Sequence, residues 1–79
     1  MDYQEFGKLI KQLRRGQKIS QQTVANHLHI SRATLSGFEN GASVEIGFKK
    51  VLQIVDYLGY ELNLKEISAF PVFEEVIDG

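Results

Sequence analysis

Arg32, Ala33 and Ser36, with Gly37, would fall on one side of a short helix that begins at residue 32, with Ser31 immediately before it, and the chemistry open to these residues is hydrogen bonding rather than catalysis. A guanidinium at Arg32 offers a planar fork of donors that matches guanine O6 and N7, or a phosphate. The hydroxyls of Ser31 and Ser36 can donate or accept, and the Ala33 methyl can touch the methyl of a thymine. Reactive chemistry has less to stand on. His27 and His29 are two residues apart, so a helix turns them to different faces, and no cysteine or acid completes a ligand set around them. No nucleophile, base and orienting acid assemble from the remaining residues. The expectation is therefore a non-enzyme without metal or cofactor, with both histidines exposed or packing.

Two helices must hold those residues. Ser20 and Ser31 each stand immediately before a helical pattern, where a hydroxyl can accept a hydrogen bond from an otherwise unpaired backbone N–H. Helices over about 21–28 and 32–39 follow. The first buries Val24, Ala25 and Leu28 and the second Leu35 and Phe38, with Ile30 packed in the turn between them. Before them Phe6, Leu9, Ile10 and Leu13 recur with helical spacing, which predicts a scaffold helix over 3–15 that ends near Gly16. After a loop with Gly41, Ala42 and Ser43, a fourth helix over 46–58 is predicted to bury Phe48, Val51, Leu52, Val55 and Leu58 and to stop at Gly59 as a left-handed cap.

The segment Ser20 to Gly41 resembles the helix-turn-helix of the phage-repressor and Cro-like family, also called XRE. The likeness rests on Gln21 opening the first helix, Ala25 at the tight crossing, Ile30 in the turn, Leu35 and Phe38 inside, and Glu39-Asn40-Gly41 closing the second helix. The stretch Ile46 to Leu52 and Asp56 to Leu62 is similar to a narrower branch, the HipB-like regulators, many of which are antitoxins. The likeness spans residues 3 to 65. It implies a second helix whose N-terminal half enters the major groove, with Ser31, Arg32, Ala33 and Ser36 reading bases. It implies phosphate contacts from Gln21, Asn40 and Lys50, and Lys49 joins them because it also opens the helix after the reader. Arg32 could instead touch only phosphate, and Asn40 could serve simply to end its helix. Two positions depart from the family pattern. His29 takes the turn position that relatives fill with glycine, and Gly37 stands where relatives often carry a DNA-touching side chain.

Seventy-nine residues with 43% hydrophobic content suffice for one compact core. Zero cysteines exclude disulfides and thiolate metal sites. No apolar run approaches the roughly 20 residues that span a bilayer, and Asp2 and Glu5 interrupt any signal-peptide pattern, so a cytoplasmic protein with no membrane partner is expected. The net charge of −1 conceals a division: residues 1–50 carry eight Lys or Arg against four acids, residues 51–79 one Lys against six acids. The basic half can neutralise phosphates and release counterions. Lys8 and Lys11 read more simply as solvated helix faces.

After Gly59 the period changes to two. Tyr60, Leu62 and Leu64 alternate with Glu61, Asn63 and Lys65, which predicts a half-buried strand near 60–65. A lone strand leaves an open edge of backbone groups. Antiparallel pairing with a second copy would close it and give an isologous homodimer, as the HipB-like resemblance also implies; Val72-Phe73 folding back is the alternative. A dimer would present two reading helices to an inverted repeat in operator DNA, with half-sites one DNA turn apart. The expected architecture is thus all-α, a four- to five-helix repressor-like domain over 1–66 with a dimerisation strand. Residues 67–79 form an acidic-hydrophobic tail. In it Phe70, Val72, Phe73, Val76 and Ile77 either pack on their own domain or dock on a partner, which the resemblance suggests is a HipA-like kinase toxin. A protein-interaction module without specific DNA binding is the competing class.

Overall fold

The computed structural model describes residues 1–42 and 45–66. Four helices make up the fold in the order α1 (Tyr3–Gly16), α2 (Gln21–Leu28), α3 (Arg32–Glu39) and α4 (Phe48–Tyr57). α1 packs across α3, and α2 packs against both α3 and α4.

Each start has a local cause. Asp2 accepts the Glu5 N–H at 2.8 Å while its own N–H donates to Glu5 Oε1 at 3.0 Å, a reciprocal capping box at the head of α1. Ser20 Oγ accepts the Thr23 N–H at 3.1 Å and Ser31 Oγ accepts the Thr34 N–H at 2.9 Å, so both expected serine caps form. α4 starts at Phe48 rather than 46, after Gly47 at φ 90°, and has no side-chain cap.

The ends use left-handed residues. Gly59 sits at φ 88° as expected, with its N–H donated to Asp56 O at 2.9 Å and the Tyr60 N–H to Val55 O at 3.0 Å. His29 closes α2 at φ 57°, ψ 44°, so the histidine does take the turn conformation ordinarily left to glycine. α1 ends at Gly16, as expected, without a left-handed glycine. Gly16 is still helical, and the left-handed position is Lys18 at φ 61°, stabilised by the Ile19 N–H donating to Arg14 O at 3.2 Å.

The core gathers Ile10 from α1, Val24 from α2, Leu35 and Phe38 from α3, and Val51, Ile54, Val55 and Leu58 from α4 and its cap. Phe38 lies against Tyr3 and Phe6, with ring centroids 5.2 and 6.2 Å apart in tilted geometry. Two expected members are absent: Phe48 is 70% exposed and Leu52 41% exposed, because the face of α4 turned inward runs through Val51, Ile54 and Val55. Gly7 marks the closest approach of α1 to α3, since a Cβ there would stand 2.0 Å from Phe38 O.

Residues 60–66 run without regular structure, and no strand occurs among the described residues. Tyr60, Leu62 and Leu64 are all exposed, Leu64 fully. The tail positions Phe70, Val72, Phe73, Val76 and Ile77 lie outside the described residues, as does Ser43 of the loop.

Candidate nucleic-acid interface

α3 presents Arg32 and Ala33 fully to the surface, with Ser36 and Gly37 half-buried one turn on, while Leu35, Phe38 and Glu39 hold its other side in the core. Of the four expected readers, Arg32, Ala33 and Ser36 share this outward strip. Ser31 precedes it, but its hydroxyl is occupied: besides the cap it donates to Thr34 Oγ1 at 2.7 Å.

Arg32 is not a free side chain. Its Nε donates to Gln21 Oε1 across a long 3.4 Å, and Gln21 Nε2 donates to Glu39 Oε1 at 3.0 Å. Glu39 has no exposed surface and receives the Arg14 fork, Nε to Oε2 at 2.8 Å and Nη2 to Oε1 at 2.9 Å. The third nitrogen of Arg14 donates to Ile19 O at 2.7 Å, so both buried charges are paired and hydrogen-bonded. The result is a chain of contacts, Arg14 to Glu39 to Gln21 to Arg32, which ties the first reading residue to the floor of the domain. It also fixes the Gln21 amide: a carboxylate only accepts, so the NH₂ must face Glu39 and the carbonyl must face Arg32.

The residues expected at phosphates divide. Gln21 is half-buried at the head of α2, beside an open polar concavity lined by Arg14, Ser20, Gln21, Gln22 and Arg32. Asn40 is exposed at the end of α3, where its Oδ1 accepts from Lys11 Nζ at 2.9 Å and its Nδ2 donates to Ser36 Oγ at 3.1 Å. Lys49 is exposed on α4. Lys50 is half-buried and donates to Leu28 O at 2.7 Å, so one of its three protons serves the C-terminal end of α2. Near it His27 Nδ1 meets Tyr57 Oη at 2.6 Å, linking α2 to α4. His27 and His29 border an open cleft between α2 and α4 together with Lys50 and Asp56, and no group of three or more His, Cys, Asp or Glu able to hold a metal occurs among the described residues.

The Arg14–Glu39 pair has no counterpart in the sequence analysis, where Glu39 only closes the second helix, and Lys11, expected as a solvated helix face, is half-buried and bonded to Asn40. Arg14 lies four residues after Ile10 and Glu39 four after Leu35, so each charge falls on an apolar stripe, and two opposite charges on facing stripes signal a buried pair. Lys11 gave no such signal, because its partner is 29 positions away.

Two short helices joined by a left-handed turn, the second outward and pinned through its first residue, define a helix-turn-helix DNA-binding module. The comparison with known families agrees: residues 7–67 match the sequence model of a helix-turn-helix domain, more than three quarters of the chain, and the chain belongs to that family of XRE-like type. No curated protein matches it. No helix among the described residues is long and apolar enough to cross a membrane.

Proposed function

We propose that this protein is a sequence-specific transcriptional repressor that binds an inverted repeat in operator DNA as a homodimer. The observation that carries the reading is the outward strip of α3, with Arg32 held at its head by Gln21. Arg32 reads guanine, Ala33 meets thymine methyls, Ser36 contacts a neighbouring base edge, and Ser31 contributes through the backbone it caps more than through its occupied hydroxyl. Gln21, Asn40, Lys49 and the free protons of Lys50 contact phosphate, aided by the backbone donors at the head of α2. The protein works in the cytoplasm and catalyses no reaction.

The dimer is supported by exposed apolar surface. Tyr60, Leu62 and Leu64 lie open to water, and Leu62 also borders an open groove of about 370 Å³ formed with Tyr3, Phe6, Phe48 and Val51. A second copy pairing through 60–65 covers this apolar surface. The domain comprises residues 1–66 and the tail residues 67–79.

Fluorescence anisotropy of the protein on its own upstream DNA and on scrambled DNA, across a salt series, tests the reading. Tight binding that prefers the upstream site and weakens steeply with salt is the expected result. Equal, weak binding to both would overturn it and favour a protein-interaction module, the reading for which the acidic second half of the chain speaks.

A narrower role as the antitoxin of a HipA-like kinase toxin is supported by the resemblance over 46–62 and by the apolar residues Phe70, Val72, Phe73, Val76 and Ile77 in an acidic tail. An antitoxin must relieve the growth arrest caused by the product of the adjacent gene. If that product is harmless when expressed alone, the antitoxin role falls and the repressor stands.

A further inference from the structure

Asn40 stands between Lys11 and Ser36, and the chemistry of Lys11 decides how. An amide's oxygen and nitrogen are close to indistinguishable by shape, so their assignment rests on the partners. A lysine ammonium has three protons and no lone pair. The atom 2.9 Å from Lys11 Nζ must therefore be the Asn40 oxygen, and the Asn40 NH₂ must face Ser36 Oγ at 3.1 Å. Ser36 Oγ thus receives a hydrogen bond, and its own proton has no acceptor among the described residues. The ammonium also polarises the amide, which strengthens the bond it passes on. Ser36 lies one turn after Arg32 on the outward strip of α3.

We propose that Lys11 and Asn40 are positioning residues that set the Ser36 hydroxyl as a donor toward the major groove. Ser36 then requires an acceptor on the base it faces: N7 of a purine, guanine O6 or thymine O4. It disfavours cytosine, whose major-groove edge offers only the N4 amino donor: the second lone pair of Ser36 Oγ could accept from it, but the hydroxyl proton would then be left without an acceptor. This inference rests on the DNA-reading assignment of α3 and adds a polarity to it. The route runs from α1 through the end of α3 to a base, so the scaffold helix takes part in specificity without reaching the groove.

Selection from a randomised duplex library, read by sequencing, tests it with the full chain in wild-type, S36A, N40A and N40D forms. The wild type is expected to enrich an inverted repeat in which cytosine is depleted about 3- to 10-fold at one position of each half-site, the scale of one net hydrogen bond. S36A removes that depletion, and N40A shrinks it at the same position while the preference at the Arg32 contact persists. N40D places a carboxylate that accepts the Ser36 proton, turns the hydroxyl lone pairs outward, and enriches cytosine where the wild type disfavours it; loss of fold cannot produce that gain. Variants of Asn40 that weaken binding by one factor on every sequence, with the Ser36 position unchanged, overturn the inference and leave the repressor reading intact. A wild type that enriches no sequence overturns the repressor reading itself.

Discussion

Among the described residues, Arg14 and Glu39 are the charged side chains that the core encloses, and their pairing links stability to recognition. Removing one partner strands a buried charge, which costs about 3–5 kcal/mol, whereas replacing both with apolar residues of similar volume is often neutral. Glu39→Gln is therefore expected to lower the urea midpoint sharply, and the double variant Arg14→Met with Glu39→Leu to recover most of the loss. The double variant also removes the acceptor that orients Gln21. Its folded protein should discriminate less between upstream and scrambled DNA, measurable by anisotropy. Arg32→Ala tests the other end of the chain of contacts. Its fold should be intact, because Arg32 is exposed and joined by one long hydrogen bond, while preference for the correct base falls by about 1–3 kcal/mol.

Among the elements, α1 places its glycines unevenly. Gly7 permits α1 to cross α3, and Gly7→Ala would drive a methyl into the Phe38 carbonyl, so a severe loss of stability is expected in thermal melts. Gly16 is helical, and a Cβ there would meet nothing within 4 Å. Gly16→Ala should therefore stabilise the protein by about 0.5–1 kcal/mol. Two residues later Lys18 carries the left-handed conformation that a glycine would adopt without steric cost. Lys18→Gly is expected to raise the melting temperature as well, whereas a chain that ended α1 at a left-handed Gly16 would be harmed by both changes. The cap serines were legible because a cap depends on residues three apart. The Asp2-to-Glu5 capping box is equally local and has the same spacing, and it sets the true start of α1.

For the whole molecule, the proposed dimer on DNA makes two predictions. If each protomer places Lys49 on a phosphate, Lys49→Ala should reduce the slope of log affinity against log salt by about 1 per protomer bound, with little change in sequence preference. Leu62→Glu with Leu64→Glu should yield a monomer by sedimentation whose melting temperature matches that of an isolated wild-type chain, because neither residue belongs to the core. That monomer should bind a half-site weakly and lose the advantage of the full repeat.

Much of the frame was written locally. The spans of α2 and α3, their serine caps, the left-handed turns at His29 and Gly59 and the outward strip of Arg32, Ala33 and Ser36 follow from period and neighbour chemistry, which act within a few residues. Other features depended on how the helices dock. Phe48 and Leu52 are left exposed because the buried face of α4 runs through Val51, Ile54 and Val55, and periodicity cannot say how wide a buried stripe will be. The Arg14–Glu39 pair spans 25 positions, and the Lys11–Asn40–Ser36 contacts join α1 to the end of α3. Hydrogen bonds between residues so far apart exist only once apolar burial has set the helix crossings. The residue types that could read DNA were thus legible in the chain, while the partners that orient them were decided by tertiary packing.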